Sequence, residues 1–181
     1  TKQIVRFAQM LVGRVQGGLA AVNVVASMMF SGVSGAATAE ASAIGSVMIP
    51  AMRRDGYKPE YAAALTAAGS ILGPLVPPSL SLILYGVLTG TSIADLFLAG
   101  IVPAFLLCGV LIIYVLFKAR REGHPVPARV PDEERRGLAL KALPALLLPV
   151  IIVGGIRSGV FTPTEAAAVA AVYALAIGTL L

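Results

Sequence analysis

Two short stretches hold the residues best suited to chemistry: Phe30-Ser31-Gly32-Val33-Ser34-Gly35-Ala36 and Gly73-Pro74-Leu75-Val76-Pro77-Pro78-Ser79. Each interrupts a run that is otherwise apolar. Proline removes a backbone donor and clashes with the preceding turn, so three prolines in five residues must break a helix and release carbonyl groups. Where such a break lies at membrane depth it is tolerated when buried in protein or lining a cavity, a setting in which many carriers bind substrate and coupling ion. The helix N-termini after Gly35 and Pro78 direct partial positive charge at an anion, making Ser34, Gly35, Ala36, Pro78 and Ser79 candidates for holding a carboxylate. The carbonyls ending the preceding half-helices and the nearby hydroxyls offer hard oxygens to Na⁺, with Ser31, Gly32, Ser34, Gly73 and Pro77 as candidate contributors. Glu40, five residues after Gly35, is a candidate intramembrane acid, because an ionisable group there is costly. It neutralises a cation, carries a proton, or is simply bonded to Ser, Thr or backbone donors; the residues leave all three open. The plain alternative for both interruptions is a pair of kinked packing helices.

The elements that must position these residues follow from charge and length. Between Glu60 and Asp95 no Asp, Glu, Lys or Arg occurs for 34 residues, and between Asp95 and Lys118 none for 22, each run long enough for the roughly 20 residues that cross a bilayer. Residues 17–52 are apolar around the first interruption. The arm from Gly17 to Ser31 is about 21 Å long and that from Gly35 to Arg53 about 27 Å, lengths that suit a re-entrant hairpin with its tip at 31–36. If residues 118–141 are cytoplasmic, the hairpin places 13 of the 14 basic residues on one side and leaves only Arg157 on the other, which the positive-inside rule favours over a full crossing. From Glu60 to Pro74 is again about 21 Å of helix, so the two interruptions can meet at one depth.

The expected architecture is therefore all-α and membrane-bound. It comprises a basic amphipathic segment at 1–16, the hairpin at 17–52, a discontinuous transmembrane helix at 60–90 broken at 73–79, and a transmembrane helix at 95–117. A charged cytoplasmic loop at 118–141, an apolar helix at 142–157 interrupted by Pro144 and Pro149, and a transmembrane helix at 163–181 complete it. Thr162-Pro163-Thr164-Glu165 has the form of a capping box, and Ser92-Ile93-Ala94-Asp95 is a second helix-start signal. Lacking an initiator Met and ending while still apolar, the chain is expected to be part of a longer protein.

Composition excludes several function classes. The chain is 57% hydrophobic and 13% charged, against roughly 45–50% and about 25% in soluble domains, so a soluble enzyme is not expected. Gly32-Val33-Ser34-Gly35 matches a short pattern of rhomboid intramembrane proteases. Nucleophilic catalysis would need a base beside Ser34, and the single histidine, His124, falls in the charged loop. No catalytic residue is assigned. One Cys, Cys108, cannot form an internal disulfide, and scattered carboxylates with one His make no transition-metal cluster. The charge of +5 comes without Trp or a basic stripe interleaved with aromatics, so nucleic acid is not an expected partner.

A series of motifs resembles the large membrane (M) subunit of tripartite ATP-independent periplasmic (TRAP) transporters. These are Val33-Ser34-Gly35 with Ala39-Glu40 and Ala43-Ile44-Gly45-Ser46, Met48-Ile49-Pro50-Ala51-Met52, Pro77-Pro78-Ser79 with Tyr85-Gly86, Thr89-Gly90-Thr91-Ser92, Leu96-Phe97-Leu98-Ala99-Gly100 and Phe161-Thr162-Pro163-Thr164-Glu165-Ala166-Ala167. The resemblance implies one half of an inverted-repeat, elevator-type secondary transporter, multi-pass in the bacterial inner membrane. It further implies Na⁺ as coupling ion with no other cofactor, and import of an organic acid such as a C4-dicarboxylate delivered by a periplasmic substrate-binding protein. Membrane lipid and a small membrane subunit are the remaining implied partners. Ala36 stands where many members carry Ser, which removes a hydroxyl, and Glu40 where many carry Asp. An ion channel and a structural membrane subunit without transport chemistry are the alternative functions. If residues 17–52 are re-entrant, single cysteines at positions 14 and 55 in a Cys108→Ala background will label with an impermeant maleimide from the same side of the membrane. Labelling from opposite sides rejects the hairpin.

Overall fold

The computed structural model describes residues 2–12, 15–124 and 132–180, and every regular element among them is an α-helix: α1 (Lys2–Val12), α2 (Gly18–Ser34), α3 (Ala37–Arg54), α4 (Pro59–Ser70), α5 (Leu80–Thr89), α6 (Ile93–Glu122), α7 (Asp132–Arg157) and α8 (Pro163–Leu180). Arg14, one of the 13 basic residues that the hairpin reading places on the inner side, lies outside the described residues.

Helices α2 and α3 fold back on one another about Gly35-Ala36. Gly35 takes the left-handed conformation (φ 61°) and its N–H closes α2 onto the Ser31 carbonyl, while Ala36 is extended. Contacts between Ser31 and Glu40 near the turn, and between Asn23 and Met52 near the base, establish an antiparallel pair. The reading of the second interruption also has a local basis. Helix α4 stops at Ser70, three residues earlier than the expected break, and the chain continues through tight turns in which Leu72 N–H bonds to Gly69 O (3.0 Å) and Gly73 N–H to Ser70 O (3.1 Å). A residue preceding proline is biased away from the α conformation, so the unwinding begins ahead of Pro74. Helix α5 then starts at Ser79, whose hydroxyl accepts the Leu82 N–H as an N-cap. At 12 and 10 residues, α4 and α5 are about 18 and 15 Å long, each too short alone for a hydrocarbon core of about 30 Å.

Other boundaries differ from expectation. The loop at 118–141 is mostly helix: α6 continues to Glu122, and α7 begins at Asp132 instead of 142. Packing explains part of the extension, since Ala119 at the end of α6 and Leu138 and Ala142 in α7 are buried. Helix α7 also passes through Pro144 and Pro149 without ending, just as α3 passes Pro50 and α6 passes Pro103. Packing of α7 on α8 accompanies this continuity, including a Tyr173 hydroxyl that donates to the Pro144 carbonyl at 2.8 Å. Both start signals operate as read: Ser92 Oγ accepts the Asp95 N–H, and Thr162 and Glu165 exchange the reciprocal bonds of a capping box. Among the described residues two helical stretches, Ile93–Glu122 and Gly137–Arg157, are long and apolar enough to cross a membrane.

The core lies between α2, α3 and α4. Val22, Val24, Ile44, Met48, Met52 and Leu72 are fully buried there, and α1 covers α2 with Val5 and Ala8. One end of this body is tied to α6. Gly17 packs on Ala119, and the Tyr57 ring stacks on His124 at 4.1 Å between centroids. Glu122 contacts both His124 (2.9 Å) and Lys118 (3.3 Å), and Lys118 lies 4.7 Å over the Tyr61 ring. Burial pushes the Tyr57 phenol up to about 12, keeping it a neutral hydroxyl.

At the heart of the core, Asn23 Nδ2 donates to Thr66 Oγ1 (2.8 Å), which donates in turn to the Ala62 carbonyl. Thr66→Val removes that acceptor and is expected to destabilise the purified subunit by about 1–3 kcal/mol, the cost of a buried polar group left unpaired. Thr66→Ser should retain most of the stability. Thermal unfolding in detergent checks both.

Candidate functional site

The first interruption is seated on the second. A Cβ built on Gly35 would collide with the Pro78 carbonyl oxygen and lie 3.2 Å from Ser79 Cα, so only glycine satisfies both the left-handed turn and the contact. Gly73 repeats the arrangement from the other side. Its built Cβ would lie 3.0 Å from Glu40 Oε2 and 3.1 Å from Ala36 C and Ala37 N. Gly32 completes the contact, packed against Pro149 of α7 with the Pro77 carbonyl oxygen 3.8 Å from its built Cβ. The Pro77-Pro78 peptide is cis.

The candidate cation ligands Ser31, Gly32, Ser34, Gly73 and Pro77 therefore lie on surfaces that meet. Ser31 Oγ is 2.7 Å from the Ser27 carbonyl and 2.5 Å from Glu40 Oε2. A hydroxyl has one proton, so it cannot donate to both. Either Ser31 donates to an ionised Glu40, or Glu40 is protonated and donates to a Ser31 that bonds back to Ser27. Glu40 is fully buried, and its second oxygen, Oε1, has no hydrogen-bond partner. Helix α2 contains no ionisable residue, and α4 has only Glu60 and Tyr61, in its first turn. No cationic side chain pairs with Glu40 among the described residues.

Two further side chains join this line. Asn23, Ser27 and Ser31 recur every fourth residue, on one face of α2, and all are fully buried. Asn23 Oδ1 and Ser27 Oγ have no partner, and Ser27 Oγ would stand 2.9 Å from a Cβ on Gly69. The spacing was visible in the sequence, though an Asn and a Ser in an apolar helix carry little weight until the facing helix is known. The unpaired oxygens of Ser27 and Glu40 are of the kind a hard monovalent cation takes, so these residues fit Na⁺, whereas Asn23 lies toward the base of the hairpin.

The candidate substrate residues divide. Ser34 and Pro78 line a cavity of about 230 Å³, and the Ser34 hydroxyl is buried without a partner. Gly35, Ala36 and Ser79 are not among its lining residues. The Ser79 hydroxyl is already engaged, donating to the Pro74 carbonyl (2.6 Å) while capping α5. Phe97, Ile152, Ile156 and Ala166 form much of the opposite wall. No local pattern marks them, because they reach the cavity only through the packing of α6, α7 and α8. Among the described residues no group of His, Cys, Asp and Glu could hold a metal ion.

Comparison with known proteins places the chain in a family. The chain is 47% identical over 179 residues to the sialic acid TRAP transporter large permease protein SiaM of Vibrio cholerae, covering 99% of this chain and 42% of that protein. It is 45% identical over 172 residues to the C4-dicarboxylate TRAP transporter large permease protein DctM of Pseudomonas aeruginosa (95% and 40%). Against the 2,3-diketo-L-gulonate TRAP transporter large permease protein YiaN of Escherichia coli it is 41% identical over 181 residues (100% and 43%). The chain thus spans about two fifths of the length of these relatives. The profile of the tripartite ATP-independent periplasmic transporter DctM component matches residues 1–181. The chain belongs to the DctM family of TRAP transporter large permeases.

Proposed function

We propose that this chain supplies one half of the binding machinery of a Na⁺-coupled importer of organic acids, multi-pass in the bacterial inner membrane, working with a small membrane subunit and a periplasmic binding protein. The observation that carries the reading is the seating of Gly35 against Pro78 and Ser79, which gathers polar atoms at two helix interruptions. Relatives named for sialic acid, C4-dicarboxylate and 2,3-diketo-L-gulonate support an acidic substrate.

The roles follow from chemistry. Na⁺ is held by oxygens at the tip, Ser31 and Ser34 with the carbonyls of Gly32, Gly73 and Pro77, and Glu40 supplies compensating charge behind them. Bound Na⁺ would engage oxygens that are otherwise unpaired and hold the tip against the break, so that Ala36 and the start of α5 present N–H groups to a carboxylate while Gly35, its own N–H spent on Ser31, shapes the turn. The cavity beside Ser34 and Pro78 takes the body of the acid. Its largely apolar wall contributes shape, and selection is shared with the binding protein.

The full-length subunit in proteoliposomes, with its small subunit and binding protein, is expected to take up a labelled acid only when both an inward Na⁺ gradient and the binding protein are present. Ion flux without the acid would instead indicate a channel. Ser34→Ala is expected to raise the Na⁺ concentration for half-maximal uptake by about tenfold, as loss of one ligand worth about 1.4 kcal/mol would do; unchanged Na⁺ dependence removes Ser34 from the ligand set. Gly35→Ala, which must clear the Pro78 carbonyl, is expected to abolish uptake in normally inserted protein.

A further inference from the structure

Outside the site, the end of α3 carries a second arrangement whose purpose transport chemistry does not explain. Pro50, Arg53 and Arg54 line a concavity of about 330 Å³, and all three residues are exposed. Neither guanidinium donates a hydrogen bond or forms an ion pair among the described residues, although Asp55 and Glu60 lie close in sequence. The usual task of a basic residue at a helix C-terminus, satisfying the last carbonyls, is performed by the backbone. Asp55 N–H bonds to the Ala51 and Met52 carbonyls, Gly56 N–H to Arg53 O, and Tyr57 N–H to Met52 O.

Two adjacent, unpaired guanidinium groups beside an apolar proline wall match a phosphodiester, whose oxygens accept paired N–H bonds from an Arg fork. We propose that this concavity binds the phosphate of an anionic phospholipid headgroup at the cytoplasmic surface. The choice of lipid over a soluble phosphate rests on where the arginines sit: they terminate a helix of the hairpin read above as entering the membrane from the inner face. Lys58, exposed in the following turn, adds positive charge on the same side. Basic groups between membrane helices on this side are a recurrent recognition chemistry for anionic headgroups.

The test uses the full-length subunit in detergent, measured by native mass spectrometry against dioleoyl phosphatidylglycerol, dioleoyl phosphatidylcholine and inorganic phosphate. Phosphatidylglycerol adducts should form at lower concentration than phosphatidylcholine adducts, and Arg53→Gln/Arg54→Gln should weaken the former about tenfold while leaving the latter unchanged. Arg53→Lys/Arg54→Lys should recover part of the loss. Equal retention of phosphatidylglycerol by the Gln variant overturns the proposal, as does displacement of the lipid by millimolar phosphate, which would mark a soluble-anion site. Thermal unfolding of the Gln variant in phosphatidylcholine should match the parent, separating lost binding from lost folding. Because binding is read without transport, the outcome is independent of Na⁺ coupling.

Discussion

The arrangement depends on one close approach between two pieces of backbone. At Gly35 the hairpin turns with a left-handed residue, and the position its side chain would fill is taken by the Pro78 carbonyl. At Gly73 the missing side chain makes room for the Glu40 carboxylate and the Ala36-Ala37 peptide. Neither segment could be regular helix and make this contact, because a continuous helix surrounds its peptide groups with its own side chains. The irregularity removes hydrogen bonds from each helix and, in the same place, supplies the contact surface and the polar atoms of the site.

Polarity inside the three-helix core follows from the same economy of space. Small residues of α4 and the break, Gly69 and Gly73, stand opposite Ser27 and Glu40, so α2, α3 and α4 pack closely around side chains that most cores exclude. Asn23 has a clear structural share through Thr66. Among the described residues Ser27 Oγ and Glu40 Oε1 have no close hydrogen-bond partner, a condition that calls for a partner beyond the packed side chains, water or an ion.

Much of this was readable from residue types whose physics is local. Three prolines within five residues cannot sit in a regular helix, Gly35 after two serines marks a turn, and Thr162 with Glu165 closes a cap whatever surrounds it. Other features depend on partners distant in the chain. Charged residues at 118–122 and 132–141 suggested a solvated loop, yet Ala119, Leu138 and Ala142 find packing surfaces that extend the helices. Pro144 and Pro149 suggested interruption, and α7 packs on α8 and on Gly32 without ending. The cavity wall from Phe97, Ile152, Ile156 and Ala166 has no signature beyond apolarity. Whether such residues face lipid, a neighbouring helix or a ligand is decided by tertiary packing.

The base of the hairpin is fastened at the end of α6, by Gly17 on Ala119 and, through the segments that follow α3 and α6, by Tyr57 stacked on His124. Mechanically this is a beam clamped at one end. Seating the tip on the break adds a second support at the far end, so the span between is held at both ends and the clearance at Gly35 is set by the lengths of both elements.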